Sequence, residues 1–163
     1  MKIAKITVFV VSLLLLGVFL LGNQMTPNPG TSSGNGNPAL LIVFMLIPVF
    51  IFMVFLWVRI FHVHSLGNTA FTISILAILV HLCAAFIYQR NAFIEYRQVI
   101  KDALLKIDGV ADEEYLQSIT SGLSIHVNNQ YFNLNTYFMF VTFSILIAIV
   151  YTVFEKKEKA NIK

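Results

Sequence analysis

Charged residues are scarce in this sequence of 163 residues. Asp, Glu, Lys and Arg make up 12% of the chain, about half of the roughly 25% that is usual in soluble domains. Hydrophobic residues make up 58% of it, and the mean hydropathy is +0.79. This composition excludes an ordinary soluble enzyme and a disordered protein. The net charge of +3 is too small and too scattered for a surface that binds nucleic acid. The sequence therefore predicts an integral membrane protein.

Cysteine is nearly absent. Cys83 is the single cysteine of the chain, which excludes an intramolecular disulfide, a dithiol redox motif and a zinc site built from several cysteines.

Four stretches of the chain contain no charged residue, because the eleven basic and eight acidic residues all lie outside them. A helix needs about 20 residues to cross about 30 Å of hydrocarbon, and backbone groups in lipid must be hydrogen-bonded within the chain. The stretches are apolar on all sides rather than at every second residue, which excludes barrel strands. The sequence therefore predicts an all-α integral membrane protein, a four-transmembrane-helix bundle with a small, mainly helical extracellular segment between helices 3 and 4. The predicted segments are an N-terminal signal anchor with the first transmembrane helix (1–22), a linker (23–38), the second helix (39–58), a turn (59–69), the third helix (70–88), an amphipathic segment (89–135), the fourth helix (136–154) and a basic tail (155–163).

The basic residues near the ends of these stretches predict the orientation. With a cytoplasmic N-terminus, the inner side carries seven Lys and Arg residues and the outer side carries four. We therefore expect a multi-pass protein of the cell (cytoplasmic) membrane, with both termini in the cytoplasm. The first hydrophobic stretch ends without the small-x-small pattern of a cleaved signal peptide, so it is expected to remain as an anchor. The abundance of Phe, Ile, Asn and Lys fits a low-GC bacterium.

The loop of residues 23–38 is rich in Pro, Gly, Ser, Thr and Asn and has no charged residue. Such a composition builds no core, so it predicts a flexible extracellular linker. A ligand-binding lid is the alternative interpretation.

The segment of residues 89–135 is the only sizeable polar region. Its first half has apolar residues at intervals of three and four, which predicts that the third transmembrane helix continues to about Lys106. Asp108 and Gly109 then mark a turn. A second helix is expected to start at Asp112, which can cap it, and to end near Gly122. The residues after it fit either a short hairpin or an irregular connection.

Two amphipathic elements of this size are too small to hold a core of their own. Their apolar faces must be buried against the rest of the chain or against a partner protein, and both interpretations stay open. For the second one, the candidate partner-binding residues are Tyr96, Ile100, Leu104, Tyr115, Leu116 and Ile119.

His81 is the candidate polar site inside the membrane, because an imidazole in lipid is costly without a partner. It fits a proton relay or a metal or haem ligand. Alternatively, a neutral His81 is expected to form a hydrogen bond with Thr72, Thr142 or Ser144. His62 and His64, in the turn between helices 2 and 3, offer two imidazoles for a metal, but they also fit an interfacial basic turn.

The chain lacks the residues that known intramembrane enzymes need, such as paired carboxylates at membrane depth or a serine nucleophile motif. The sequence therefore predicts no enzyme and no cofactor. It favours a non-enzymatic bacterial membrane accessory protein that binds another membrane or exported protein, as a regulator, assembly factor or immunity factor. A small transport or channel subunit is the first alternative, and a metal- or haem-binding membrane protein is the second. The expected partners are the lipid bilayer and either another protein or a second copy of the chain, with no nucleic acid.

Overall fold

The computed structural model describes residues 2–31, 36–64 and 67–161. The first residue, the middle of the predicted linker (32–35), two residues of the predicted turn (65–66) and the end of the predicted tail (162–163) lie outside the described residues. The described part is 84% helical and contains no strand. It has one 3₁₀ turn, Ile125–Val127, and the helices α1 (Lys2–Gln24), α2 (Leu40–Val63), α3 (Asn68–Asp108), α4 (Glu113–Ile119), α5 (Asn128–Tyr131) and α6 (Leu134–Asn161).

Four of these helices, α1, α2, α3 and α6, are long and apolar enough to cross a membrane. The prediction of four membrane-spanning helices from the uncharged stretches is confirmed at this level. Large apolar side chains, such as Leu14, Phe44 and Val80, remain exposed along all four helices. A solvent of lipid explains this exposure, since burial of the same side chains within the chain would otherwise be strongly favoured.

The helix α6 is the centre of the arrangement, since it lies against α1, α2 and α3. One core cluster joins α1, α2 and α6 around Phe19, Met53 and Tyr137. A second cluster joins α2, α3 and α6, where Phe71 is packed with Ala148 and its ring meets the ring of Phe61 edge-on. In contrast, α1 and α3 make little direct contact. The bundle is therefore open between these two helices.

The start of α1 and the end of α6 lie at the same end of the four long helices. The start of α1 is packed against the end of α2 through Val8 and Leu56, and the end of α2 meets α6 through His62 and Glu155. We call this the tail end, and the opposite end the cap end. The cap is defined here as residues 89–133.

The third long helix continues into the cap, as the sequence predicts. It has 41 residues and a length of about 60 Å, twice the thickness of the hydrocarbon. Gly109 ends it in a left-handed conformation. Asp112 then caps α4, because its carboxylate accepts a hydrogen bond from the backbone N–H of Glu114 at 2.8 Å. Both predictions are confirmed, although α4 ends at Ile119, three residues before Gly122.

The described parts of the predicted linker make specific contacts that the composition did not indicate. Gly30 has a positive φ of 83°, and a Cβ at this position would lie 2.6 Å from the Cδ1 of Ile107 and 3.3 Å from the Cβ of Ala103. The loop is therefore packed against the cap portion of α3 at this point. Asn37, at the other end of the loop, is hydrogen-bonded to the cap.

Candidate functional site

The candidate partner-binding residues lie mostly inside the cap. Ile100, Leu104 and Leu116 are 1%, 5% and 1% exposed and form one cluster. Tyr96 and Ile119 are half-buried against it. The apolar face of α4 is thus covered by α3, since Leu116 is packed against Ile100 and Leu104.

Tyr115 is the one exposed member of the six, at 41%. The buried residues are not accessible to a partner in this arrangement, whereas Tyr115 is. Partner binding stays a prediction, and Tyr115 is the candidate residue that remains available for it.

Two basic residues of α3 hold the first turn of α4. Lys101 forms an ion pair and hydrogen bond with Glu113, and Arg97 lies 3.5 Å from the same carboxylate. The hydrogen bond from the Lys101 ammonium, and then its positive charge, hold the pKa of Glu113 below its usual value. The pair therefore orients α4 on the apolar cluster rather than supplying much stability, since its groups are substantially exposed.

His81 does not form the expected hydrogen bonds. The hydroxyls of Thr72, Thr142 and Ser144 each donate to a carbonyl of their own helix, at 3.0, 2.7 and 2.7 Å. Ser and Thr commonly do this within helices, which leaves them without a need for a partner on another helix. The Nε2 of His81 is enclosed, yet within the described residues no hydrogen-bond partner reaches it.

The two histidines near the tail end have different surroundings. The Nε2 of His62 lies 2.6 Å from the Oε2 of Glu155 on α6, a partner that is 93 positions away and was not predicted. The Nε2 of His64 is buried and has no partner among the described residues. In the part of the chain that the structure describes, no three His, Cys, Asp or Glu residues form a group that could hold a metal.

An amide network lies at the cap end, and the sequence interpretation missed it. Gln89 of α3 is at its centre. Its Nε2 donates to the carbonyl of Gln130 at 2.7 Å, and its Oε1 accepts from Asn133 at 3.2 Å and from Asn135 at 3.0 Å. Asn135 also donates to the carbonyl of Ala85 at 2.9 Å. These bonds join the outer part of α3 to α5 and to the start of α6.

The network continues to α1 and to the loop that follows it. Asn23 donates to the carbonyl of Phe132 at 2.7 Å. The side chains of Asn37 and Asn128 donate to each other, at 2.8 and 3.0 Å. Asn37 also donates to the carbonyl of Leu123 at 2.8 Å. Side-chain amides at the base of the cap therefore join it to α1, to the loop before α2 and to the start of α6.

A pocket of about 510 Å³ lies between α1 and α3 beside this network. Its base is apolar and its upper part is polar. The lining contains no Asp, Glu, Lys, Arg or His: it consists of Leu16, Phe19, Leu20, Asn23, Tyr88, Gln89, Ala92, Asn129, Gln130, Phe132, Asn133, Leu134 and Asn135.

A compositional signal for this site is present in the sequence. Five amide residues, Asn128, Asn129, Gln130, Asn133 and Asn135, occur within eight positions directly before the fourth uncharged stretch. Because an unpaired amide at the edge of lipid is costly, such a run indicates a hydrogen-bonded cluster. Its partners on α1 and α3 are too distant in sequence to be recognised by spacing.

Comparison of the chain with protein-family models, with curated proteins and with solved structures gives no match.

Proposed function

We propose that this protein is a non-enzymatic membrane accessory protein that binds another membrane or exported protein through its cap, as a regulator, assembly factor or immunity factor. The supporting observation is the amide network, which fixes the cap to α1 through Asn23, to the loop before α2 through Asn37 and to α3 through Gln89. A cap held in this way presents its exposed residues in one arrangement, and preorganised surfaces lose less entropy on binding.

The tip of the cap carries exposed apolar residues that suit a protein partner. Leu105 and Ile107 are exposed at the end of α3, Val110 is exposed just after it, and Tyr115 is exposed on α4. Leu105 is 17 residues beyond Tyr88, the end of the predicted span, which corresponds to about 25 Å along the helix. Lipid tails do not extend that far, so the partner would have to present a surface outside the bilayer. Tyrosine is also enriched among residues that dominate binding energy.

The proposed orientation has the cap outside the cell and both termini in the cytoplasm. It is supported by the excess of Lys and Arg at the tail end, where Lys2, Lys5, Arg59, Lys156, Lys157 and Lys159 are found. Cysteine labelling of intact cells at Val110→Cys, in a Cys83→Ala background, tests it. Labelling by a membrane-impermeant maleimide supports the orientation, and labelling only after cell lysis contradicts it.

Partner binding is tested by a photo-crosslinking amino acid placed at Tyr115 of the full chain in its native membrane. The matched control is the same amino acid at Phe44, which is exposed on the membrane-spanning part of α2. We expect a discrete protein adduct from position 115 alone. Once the adduct is identified, Tyr115→Ala is expected to weaken its binding by about tenfold or more. Adducts of the same size from both positions, or none from position 115, would contradict the proposal.

A transport or channel subunit is the second candidate, and His81 favours it. An enclosed imidazole nitrogen without a partner inside a membrane-spanning helix is typical of ion and proton pathways. The test is ion or proton flux into liposomes that contain the purified chain. His81→Ala should change the flux, whereas Cys83→Ala, on the same helix, should not. Absence of flux under several gradients excludes this candidate.

A further inference from the structure

We propose that the amide-lined pocket between α1 and α3 binds a membrane lipid with an uncharged head group that carries free hydroxyls, of the diacylglycerol type. This site is separate from the tip of the cap, and it does not depend on the partner-binding function proposed above.

The position of the pocket fits the boundary between head groups and hydrocarbon. On α1 its lining runs from Leu16 to Asn23, which corresponds to about 10 Å along the helix. The deeper end is formed by apolar side chains, and the upper end is formed by amides at the ends of α1 and α6. A ligand that fills both parts needs an apolar chain joined to a polar group, which is the structure of a lipid.

The hydrogen-bonding groups of the pocket favour a ligand that donates hydrogen bonds. Asn23 donates its amide hydrogens to backbone carbonyls, and Asn135 donates to the carbonyl of Ala85 and to the Oε1 of Gln89. Among the described residues, no hydrogen bond reaches the Oδ1 of either side chain. Each amide oxygen can accept from a donor, and the hydroxyl of a glycerol or sugar head group is such a donor.

The same groups disfavour a phosphate. The lining has no Lys, Arg or His to balance a negative charge, and amide oxygens would face the phosphate oxygens. Buried anions need a cation or several N–H donors, and most of the amide hydrogens here are already used within the network. A neutral head group is therefore selected over the phosphate of common phospholipids.

Access from the bilayer is provided by the open side of the bundle. Because α1 and α3 make little direct contact, the pocket is reached from the side between the two helices. The exposed side chains of Leu20 and Tyr88 lie on opposite walls of this entrance. A lipid can therefore enter laterally while its tails remain in the hydrocarbon.

The test uses the purified full chain in vesicles of phosphatidylethanolamine and phosphatidylglycerol. A trace of photoreactive diacylglycerol, or of phosphatidylglycerol with the same photoreactive acyl chain, is added and crosslinked. We expect the diacylglycerol to label α1 and α3 at the lining residues about tenfold more than the phospholipid does. Free glycerol in excess should not compete, since it lacks the apolar chain.

Two pocket-filling variants and one matched control make the test specific. Ala92→Phe fills the pocket from α3, and Leu20→Trp fills it from α1. Each should reduce labelling about tenfold, and neither variant replaces an amide residue. An unchanged thermal melt shows that the fold is intact. Ala77 is exposed on α3 about 20 Å from Ala92, towards the tail end. The Ala77→Phe variant should be labelled as strongly as the natural sequence.

Three results would overturn the proposal. Equal labelling by the two lipids would show that the head group is not recognised. Labelling that survives both pocket-filling variants would place the lipid elsewhere. Competition by free glycerol, or replacement of the lipid adducts by a protein adduct at the same residues in native membranes, would assign the pocket to another occupant.

Discussion

The side chains of Asn37 and Asn128 exchange two hydrogen bonds although 91 positions separate them in the sequence. This pair joins the loop before α2 to the base of the cap. Asn128 is 1% exposed, so water cannot replace its partner. Removal of the Asn37 side chain leaves the buried Asn128 amide without this partner, whereas Asn37 is only half-buried and keeps its bonds to Leu123 and Ala39.

Asn128→Ala is expected to loosen the cap while the four long helices remain formed. The two lost hydrogen bonds and the space left by a fully buried side chain should cost about 1–3 kcal/mol. Amide hydrogen exchange of residues 110–133 in detergent is the measurement, and it should become faster. Asn91→Ala, at an exposed position of α3, is the control and should leave exchange unchanged. Equal effects of the two variants would show that the pair has no special role.

Acidification should weaken the contact between α4 and α3 through Glu113. Its pKa is held below the usual 4.5, first by the hydrogen bond and the charge of Lys101. The carboxylate form is therefore favoured in the folded state, and its contribution is present above pH 4.5 and lost as the pH falls through the lowered pKa. Hydrogen exchange of α4 between pH 6 and 3 measures this. Glu113→Gln should remove the step, whereas Glu114→Gln should keep it.

His126 should give a second pH dependence in a separate window. It is buried in the 3₁₀ turn, and desolvation lowers its pKa below the usual 6.5. The unfolded turn therefore binds the proton more readily, so the stability is complete above pH 6.5 and decreases as the pH falls towards the lowered pKa. Exchange of residues 124–131 measures it. His126→Gln should abolish the change above pH 5, and its persistence in this variant would assign it to another group.

Gly30 should not tolerate a side chain, because its positive φ of 83° strains any other residue and a Cβ there would also press on Ala103 and displace the end of the Ile107 side chain. We expect Gly30→Ala to cost about 1–3 kcal/mol and to expose the loop to protease. The double variant Gly30→Ala, Ile107→Ala should recover the part of the loss that is due to the clash. The control is Gly36→Ala, since nothing lies near its Cβ position. Similar cleavage of both single variants would contradict the predicted packing.

The architecture was predictable because its cause is local. Charge is excluded from lipid, so the uncharged stretches mark the spans, and the absence of a breaker between Tyr88 and Asp108 indicates that α3 continues. Asp112 and Gly109 carry local signals for a helix start and a helix end, and both are confirmed. Each of these features depends on residues within a few positions of one another.

The candidate site was not predictable because its cause is long-range. Isolated Asn and Gln residues such as Asn23, Gln89 and Asn135 indicate no particular structure in the sequence. Their hydrogen bonds depend on how α1, α3 and α6 are placed relative to one another. Similarly, the spacing of apolar residues around Leu104 on α3 and around Leu116 on α4 indicates two apolar faces but not what covers them. The structure shows that the chain covers these faces itself.

Because α3 is one uninterrupted helix, a change in the tilt of its membrane-spanning half would also move its half in the cap. Its first half is the predicted span and its second half carries the cap, so a change in tilt of about 10° would displace a point about 30 Å away by about 5 Å. A mismatch between a hydrophobic stretch and the bilayer is one cause of helix tilting, and Gln89 lies where the two halves meet. A change in membrane thickness that altered this tilt would therefore change the lengths of the hydrogen bonds that Gln89 forms.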